Sequence, residues 1–189
     1  LKGNGAVEAN VNMFFPLSKG ADFNRTVGTI TFKGTDIQSK DLNLSMSKVK
    51  GTAKFDNDGF SATELQASMD KNSVKFGVRV GAKHVSNSAN HIEADLKGDF
   101  STEYLLKFDP ALRDLDSVMK GKSPWLFLVN VPVTKSAVEA PVYLRAQSNL
   151  VGTILNLPVP LNKSISESKA FELTTQLPSD KSPIEFKIG

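Results

Sequence analysis

The stretch SVKFGVRVG, Ser73 to Gly81, puts Val74, Phe76, Val78 and Val80 on one parity and Ser73, Lys75, Gly77, Arg79 and Gly81 on the other. Successive side chains of a β-strand point to opposite faces, so a run of period two with one apolar and one polar parity is a strand that buries a single side. The pattern repeats on either side. Downstream, Ile92, Ala94, Leu96, Gly98 and Phe100 share a parity and make the partner strand. Upstream, Asp70, Lys71 and Asn72 reverse the chain after Leu65, Ala67 and Met69, and Asn57, Asp58 and Gly59 supply a second tight hairpin.

Further toward the N-terminus, Leu42, Leu44 and Met46 alternate with polar residues, after which the apolar parity moves to Val49, Gly51, Ala53 and Phe55. A change of parity within a strand needs an extra residue, which predicts a bulge near Ser47 and Lys48. Ile30 and Phe32 belong to another strand. Ala6 to Phe15, with Val7, Ala9, Val11, Met13 and Phe15 on one parity, predicts a half-buried one.

Alternation stops at Ser101. Thr102 to Leu106 opens a helical stretch reaching about Lys120, in which Asp109 caps a second turn, Pro110 takes its first position, and Leu112, Leu115, Val118 and Met119 follow at three- and four-residue spacing. Gly121 closes it. Strand pattern resumes at 124–131 (Trp125, Phe127, Val129), 141–147 (Val142, Leu144, Ala146), 151–155, 170–177 and 184–188.

These segments predict a mainly β fold: a strongly curved, largely antiparallel sheet, gutter-like or partly closed, with one short helical segment near 101–120. About ten strands at ~4.8 Å spacing make a sheet ~48 Å wide, whereas one helix is only ~10 Å across. The remaining apolar face has to close on itself as a sandwich, curl into a barrel, or stay open as a groove.

With 189 residues the chain suits one domain, 1–189, large enough to bury a core. It begins at Leu1 without an initiator Met and ends directly after a strand-like run, which reads as a segment of a longer chain whose cut strand edges would self-associate. Charged residues make up 23% and apolar ones 40%, which excludes a disordered chain, and no apolar run approaches the ~20 residues a spanning helix needs. The lysines behind the net charge of +3 are scattered without a basic block, so they read as a solvated surface and not as a nucleic-acid arm.

Catalytic chemistry has few candidates. There is no cysteine, and the two histidines, His84 and His91, flank a Ser/Asn-rich connector without a metal-ligand spacing. No nucleophile elbow or phosphate-binding glycine loop occurs. Asp56 to Gly59 resembles a calcium loop, but its twelfth position would be Leu65 where Glu is required, so the hairpin reading stands. Trp125, the lone tryptophan, reads as a packed or groove-wall aromatic ahead of a sugar-stacking platform. We therefore expect no enzyme, no cofactor and no metal.

The segments FDNDGFSATELQA, IEADLKGDFS, MKGKSPWLFLVNVP and SNLVGTILNLPVPLNK, with VGTITFKGTDIQSKDLNLSMSKVKGTAKF before them, together resemble the YhdP family of large AsmA-like bacterial envelope proteins. The most specific part is Leu150, Gly152, Leu155, Leu157, Pro158 and Pro160. What the resemblance implies is a non-catalytic periplasmic segment of an inner-membrane-anchored protein. Neighbouring segments of the parent chain would continue its sheet, and its apolar side would carry glycerophospholipid acyl chains between inner and outer membranes. The residues expected to line such a groove are Val74, Phe76, Val78, Val80, Ile92, Ala94, Leu96, Val142 and Leu144; the same residues would equally build a closed core. A β-sandwich adhesion or carbohydrate-binding module and a structural spacer are the alternatives.

Overall fold

The computed structural model describes residues 2–16, 24–39, 44–107, 116–134, 140–177 and 182–189. Its described strands are β1 (Lys2–Asn4), β2 (Val7–Phe14), β3 (Arg25–Ser39), β4 (Leu44–Asp56), β5 (Gly59–Met69), β6 (Asn72–Val80), β7 (Asn90–Ser101), β8 (Met119–Pro132), β9 (Val142–Ser148), β10 (Thr153–Leu155), β11 (Phe171–Leu177) and β12 (Glu185–Ile188), and the α-helix among the described residues is α1 (Thr102–Leu105). They form a single antiparallel sheet in the order β1-β3-β4-β5-β6-β7-β8-β9-β11-β12, with β2 beside β3 and β10 beside β8. Nearly every strand pairs with its neighbour in sequence. The sheet does not close, because β1 and β2 form one edge and β12 the other.

Local chemistry accounts for the register. Asp70 and Lys71 both take positive φ, 44° and 69°, so a two-residue loop joins Met69 to its partner Asn72 with the twist a hairpin requires. The parity change in β4 falls where expected: Lys48 has φ 55°, its N–H donates to the Asp36 carboxylate at 3.0 Å, and the β4–β5 register shifts between Ser47 and Lys50. A second bulge lies in β5 at Glu64 (φ 56°), between Ala62 and Leu65. Gly59 and Gly81 let two hairpin ends touch. A Cβ on either would sit 1.9 Å from a backbone carbonyl oxygen, that of Val80 or that of Asp58.

The expected short helical segment is present, and its described helix, α1, is one turn long, capped by the Ser101 hydroxyl, which accepts the Tyr104 N–H at 3.2 Å; Asp109, Pro110, Leu112 and Leu115 lie outside the described residues, as does Leu42 in the first half of the chain. Three expectations are corrected. Met119 and Lys120 are strand, because Leu155 and Ile154 of β10 pair with them. Gly121 is consequently no helix terminator but a contact point, where a Cβ would meet the Gly152 carbonyl oxygen at 2.2 Å. Finally, β2 is exposed along its whole length. It is an edge strand paired only with β3, and nothing among the described residues packs over its apolar parity.

Candidate functional site

Directly opposed residues of an antiparallel ladder share a face, so the register carries the apolar parity of Val74 to Val80 across the sheet. One row runs Ala62, Val78, Ala94, Val129, Leu144, Thr175; the next runs Leu65, Phe76, Leu96, Phe127, Ala146, Leu173, Phe186. Toward the N-terminal edge the same face continues through Ala53 to Ile30 and Ala9, and through Phe55 to Gly28 and Val11. All nine residues singled out from the sequence lie on this face. Their environments differ. Val74 and Phe76 are buried, whereas Val78, Val80, Ile92, Ala94, Leu96, Val142 and Leu144 are half-buried. Phe60, which pairs with Val80, is 38% exposed.

The difference runs along the strands. At the Val74 end the face is covered by the connection from β9 to β11: Leu150 and Leu155 join Met69, Phe100, Met119, Trp125 and Phe171 in one buried cluster. Aromatic rings reinforce it. Phe100 stacks on Tyr104 of α1 and meets Phe127 edge-on, while Trp125 stacks on Phe127 and meets Phe171 edge-on, with centroids 5.5–5.9 Å apart. Trp125 is therefore core, which removes the sugar-stacking platform, and its indole N–H has no hydrogen-bond partner. At the Val80 end no such layer of described residues covers the face, and its side chains stay half-buried.

The cover is pinned from within. Lys163 is 3% exposed and donates its ammonium to the carbonyls of Thr153 and Ser164, both at 2.7 Å. Burial pushes this ammonium below its ordinary pKa. The reading of every lysine as solvated surface fails here, since nothing local in LPVPLNK reveals that a lysine tucks under its own hairpin. Thr153 also donates to the Ser123 hydroxyl of β8 at 3.0 Å. Leu161 N–H closes the hairpin tip on the Pro158 carbonyl at 2.8 Å.

The opposite face is charged, and several of its charges pair with one another. Arg79 donates to Asp95 at 2.8 Å and stands 4.0 Å from Glu93, its register partner. Glu93 is buried, which alone would raise its pKa; the side chain of Asn90 and the backbone N–H groups of Ser86 and Asn87 donate to it and hold it down at about 2. These bonds tie the β6–β7 connector onto β7. His84, half-buried in that connector, meets Asp56 at 3.0 Å, and its hydrogen bond, with the Asp58 N–H, lowers the Asp56 carboxyl. Asp56 thus joins its own hairpin turn to the β6–β7 connector. No cluster of His, Asp or Glu suited to a metal ion occurs among the described residues, and no described helix is long and apolar enough to cross a membrane.

A one-sided apolar sheet of successive antiparallel strands, covered at one end by SNLVGTILNLPVPLNK, is the arrangement carried by every segment on which the resemblance rested. The YhdP protein family model matches residues 1–189, the whole chain. The chain belongs to the YhdP family. The family is one of bacterial envelope proteins. Searches of the curated proteins and of the solved structures returned no match.

Proposed function

We propose that this chain supplies one stretch of an apolar β-sheet track along which glycerophospholipids pass between inner and outer membranes, within a longer, membrane-anchored, periplasmic protein of its family. The observation that carries the reading is the apolar face, continuous in register from β2 to β12 and, among the described residues, uncovered at its Val80 end. Each CH₂ taken out of water is worth ~0.8 kcal/mol, so an acyl chain of about sixteen carbons gains on the order of 10 kcal/mol on such a surface, which offsets leaving the bilayer. The charged headgroup stays in water beyond the Val80 row, since burying it would be very costly. Rows of valine, leucine and phenylalanine without a deep pocket favour sliding over capture.

A photoreactive phenylalanine analogue placed at Val78, Ile92 or Leu144 in the full-length protein tests this in cells. The expected product is a phospholipid adduct at all three positions and none at Lys54 or Thr31 on the charged face. Equal labelling of both faces, or no lipid adduct at any of the three, would overturn the reading.

A further inference from the structure

The charged face carries a cleft of about 940 Å³ whose lining includes one whole register row, Lys75, Lys97, Leu126, Gln147, Glu172 and Lys187. Six consecutive neighbours in the sheet, β6 to β9, β11 and β12, each contribute one of these side chains. Two features of the row do not balance.

The first is that Lys75 and Lys97 stand directly opposite each other on adjacent strands. Like charges in this position destabilise a ladder. The sheet has another opposed lysine pair, Lys33 and Lys50, but there Glu8 ion-pairs with Lys33. Of the described carboxylates near Lys75 and Lys97, Glu172 and Asp95 are engaged elsewhere. Glu172 accepts from Gln147 at 2.7 Å and lies within 3.9 Å of both Arg145 and Lys187, and Asp95 is bound to Arg79. Asp99, two residues from Lys97 on the same face, also lines the cleft and forms no ion pair with either lysine.

The second is the apolar floor. Leu126 follows Lys97 in the row, with Pro124 beside it, so the two ammonium groups stand next to carbon surface. Low-dielectric walls beside unpaired cations strengthen their field toward an anion that enters the cleft.

We propose that this cleft is a binding site for a phosphate group, held between the Lys75 and Lys97 ammonium groups, on the face opposite the apolar track. A dianion placed between two opposed ammonium groups turns their mutual repulsion into two attractions, and a phosphate offers enough oxygens to meet both. The group can belong to a lipid headgroup or be free phosphate. The chemistry of recognition is the same, and in the lipid case Leu126 and Pro124 lie where the first carbons of the ligand would.

Thermal unfolding of the 189-residue chain tests the site independently of the track, at fixed ionic strength set by chloride. Because a ligand bound only to the folded state stabilises it, inorganic phosphate at ten times its dissociation constant is expected to raise Tm by about 3–6 °C over chloride alone. Dihexanoyl phosphatidic acid, below its micelle concentration, forms the second arm. A shift with both ligands assigns the site to the phosphate group itself, and a shift with the lipid alone assigns it to a headgroup with its adjoining carbons. The Lys75→Gln/Lys97→Gln variant is expected to fold, to melt higher than the parent at low salt because the repulsion is gone, and to lose the ligand-induced rise. The proposal is overturned if neither ligand shifts the parent beyond the chloride control, or if the double variant keeps the full shift. The Val78, Ile92 and Leu144 adducts would be unaffected by either outcome.

Discussion

The Glu93 carboxylate of β7 accepts the Asn87 backbone N–H at 2.9 Å, and through this bond and its companion from Ser86 the β6–β7 connector is fastened to the charged face of the sheet. The connector also carries half-buried Val85 and is tied by His84 to Asp56, but its Ser86–Asn87 stretch depends on one buried acid.

That dependence has a pH signature. Glu93 titrates at about 2 in the folded chain against an ordinary value of 4.5, a shift equivalent to about 3 kcal/mol. Because the folded pKa is the lower one, the stabilisation is fully present above pH ~4.5 and is lost as pH falls through about 2. Glu93→Gln should cost about 1–3 kcal/mol at pH 7. The gap between the two proteins should narrow steadily below pH ~4.5 in urea titrations. A gap of constant size down to pH 2 would contradict the assignment.

Leu150 is fully buried under the cover, where it closes the Val74 end of the apolar face. Truncation to Ala leaves a cavity in the buried cluster and should cost about 2–5 kcal/mol. Leu161→Ala, at the exposed hairpin tip, should stay within ~0.5 kcal/mol. Equal melting temperatures for the two variants would mean that the cover does not hold the core.

The exposed edges make a third prediction. β2 presents unpaired backbone groups beside Val7, Val11 and Met13, and β12 does the same at the far side of the sheet. The isolated chain is expected to self-associate as its concentration rises, and Val11→Lys should weaken the association by charging the edge. Light scattering that reports a monomer at millimolar concentration would refute it.

Much of the fold was legible because consecutive strands pair with each other, so period two and turn chemistry suffice to set both faces and register. Val74 to Val80 and Ile92 to Phe100 align as their alternation implies, and the bulge at Lys48 follows from one change of parity. What was not legible depends on contacts distant in sequence. Leu150 and Leu155 cover the face only because β10 pairs back onto Met119 to Gly121, and no periodicity encodes that. The same pairing turned the expected end of the helix into strand. The exposure of β2 escaped for the complementary reason, since alternation gives a strand an apolar side but not a neighbour to cover it. The Lys75–Lys97 row was invisible until register placed two unremarkable lysines side by side.

Val74 and Val78 lie on the same strand, the same face and four residues apart, yet one is 2% exposed and the other half-buried. They make an internal control for the proposed track. Val74→Asp puts a carboxylate into the cluster under the cover, without a cation to meet it, and should cost about 4 kcal/mol or more. Val78→Asp puts the same charge on a part of the face that water reaches, so its cost should be nearer 1 kcal/mol and the chain should still fold. The functional consequences run the other way. On the proposed track a carboxylate at Val78 would stand in the path of acyl chains, so the full-length protein carrying Val78→Asp should be made at normal levels but fail in lipid transfer between the membranes. Val78→Leu, which keeps the surface apolar, should restore transfer. The measurements are the melting temperatures of the 189-residue variants and phospholipid exchange in cells carrying the full-length versions. If Val78→Asp melts as low as Val74→Asp, the face is a closed core at both ends and the track reading falls. If it melts normally and transfer is intact, Val78 is not a lipid contact.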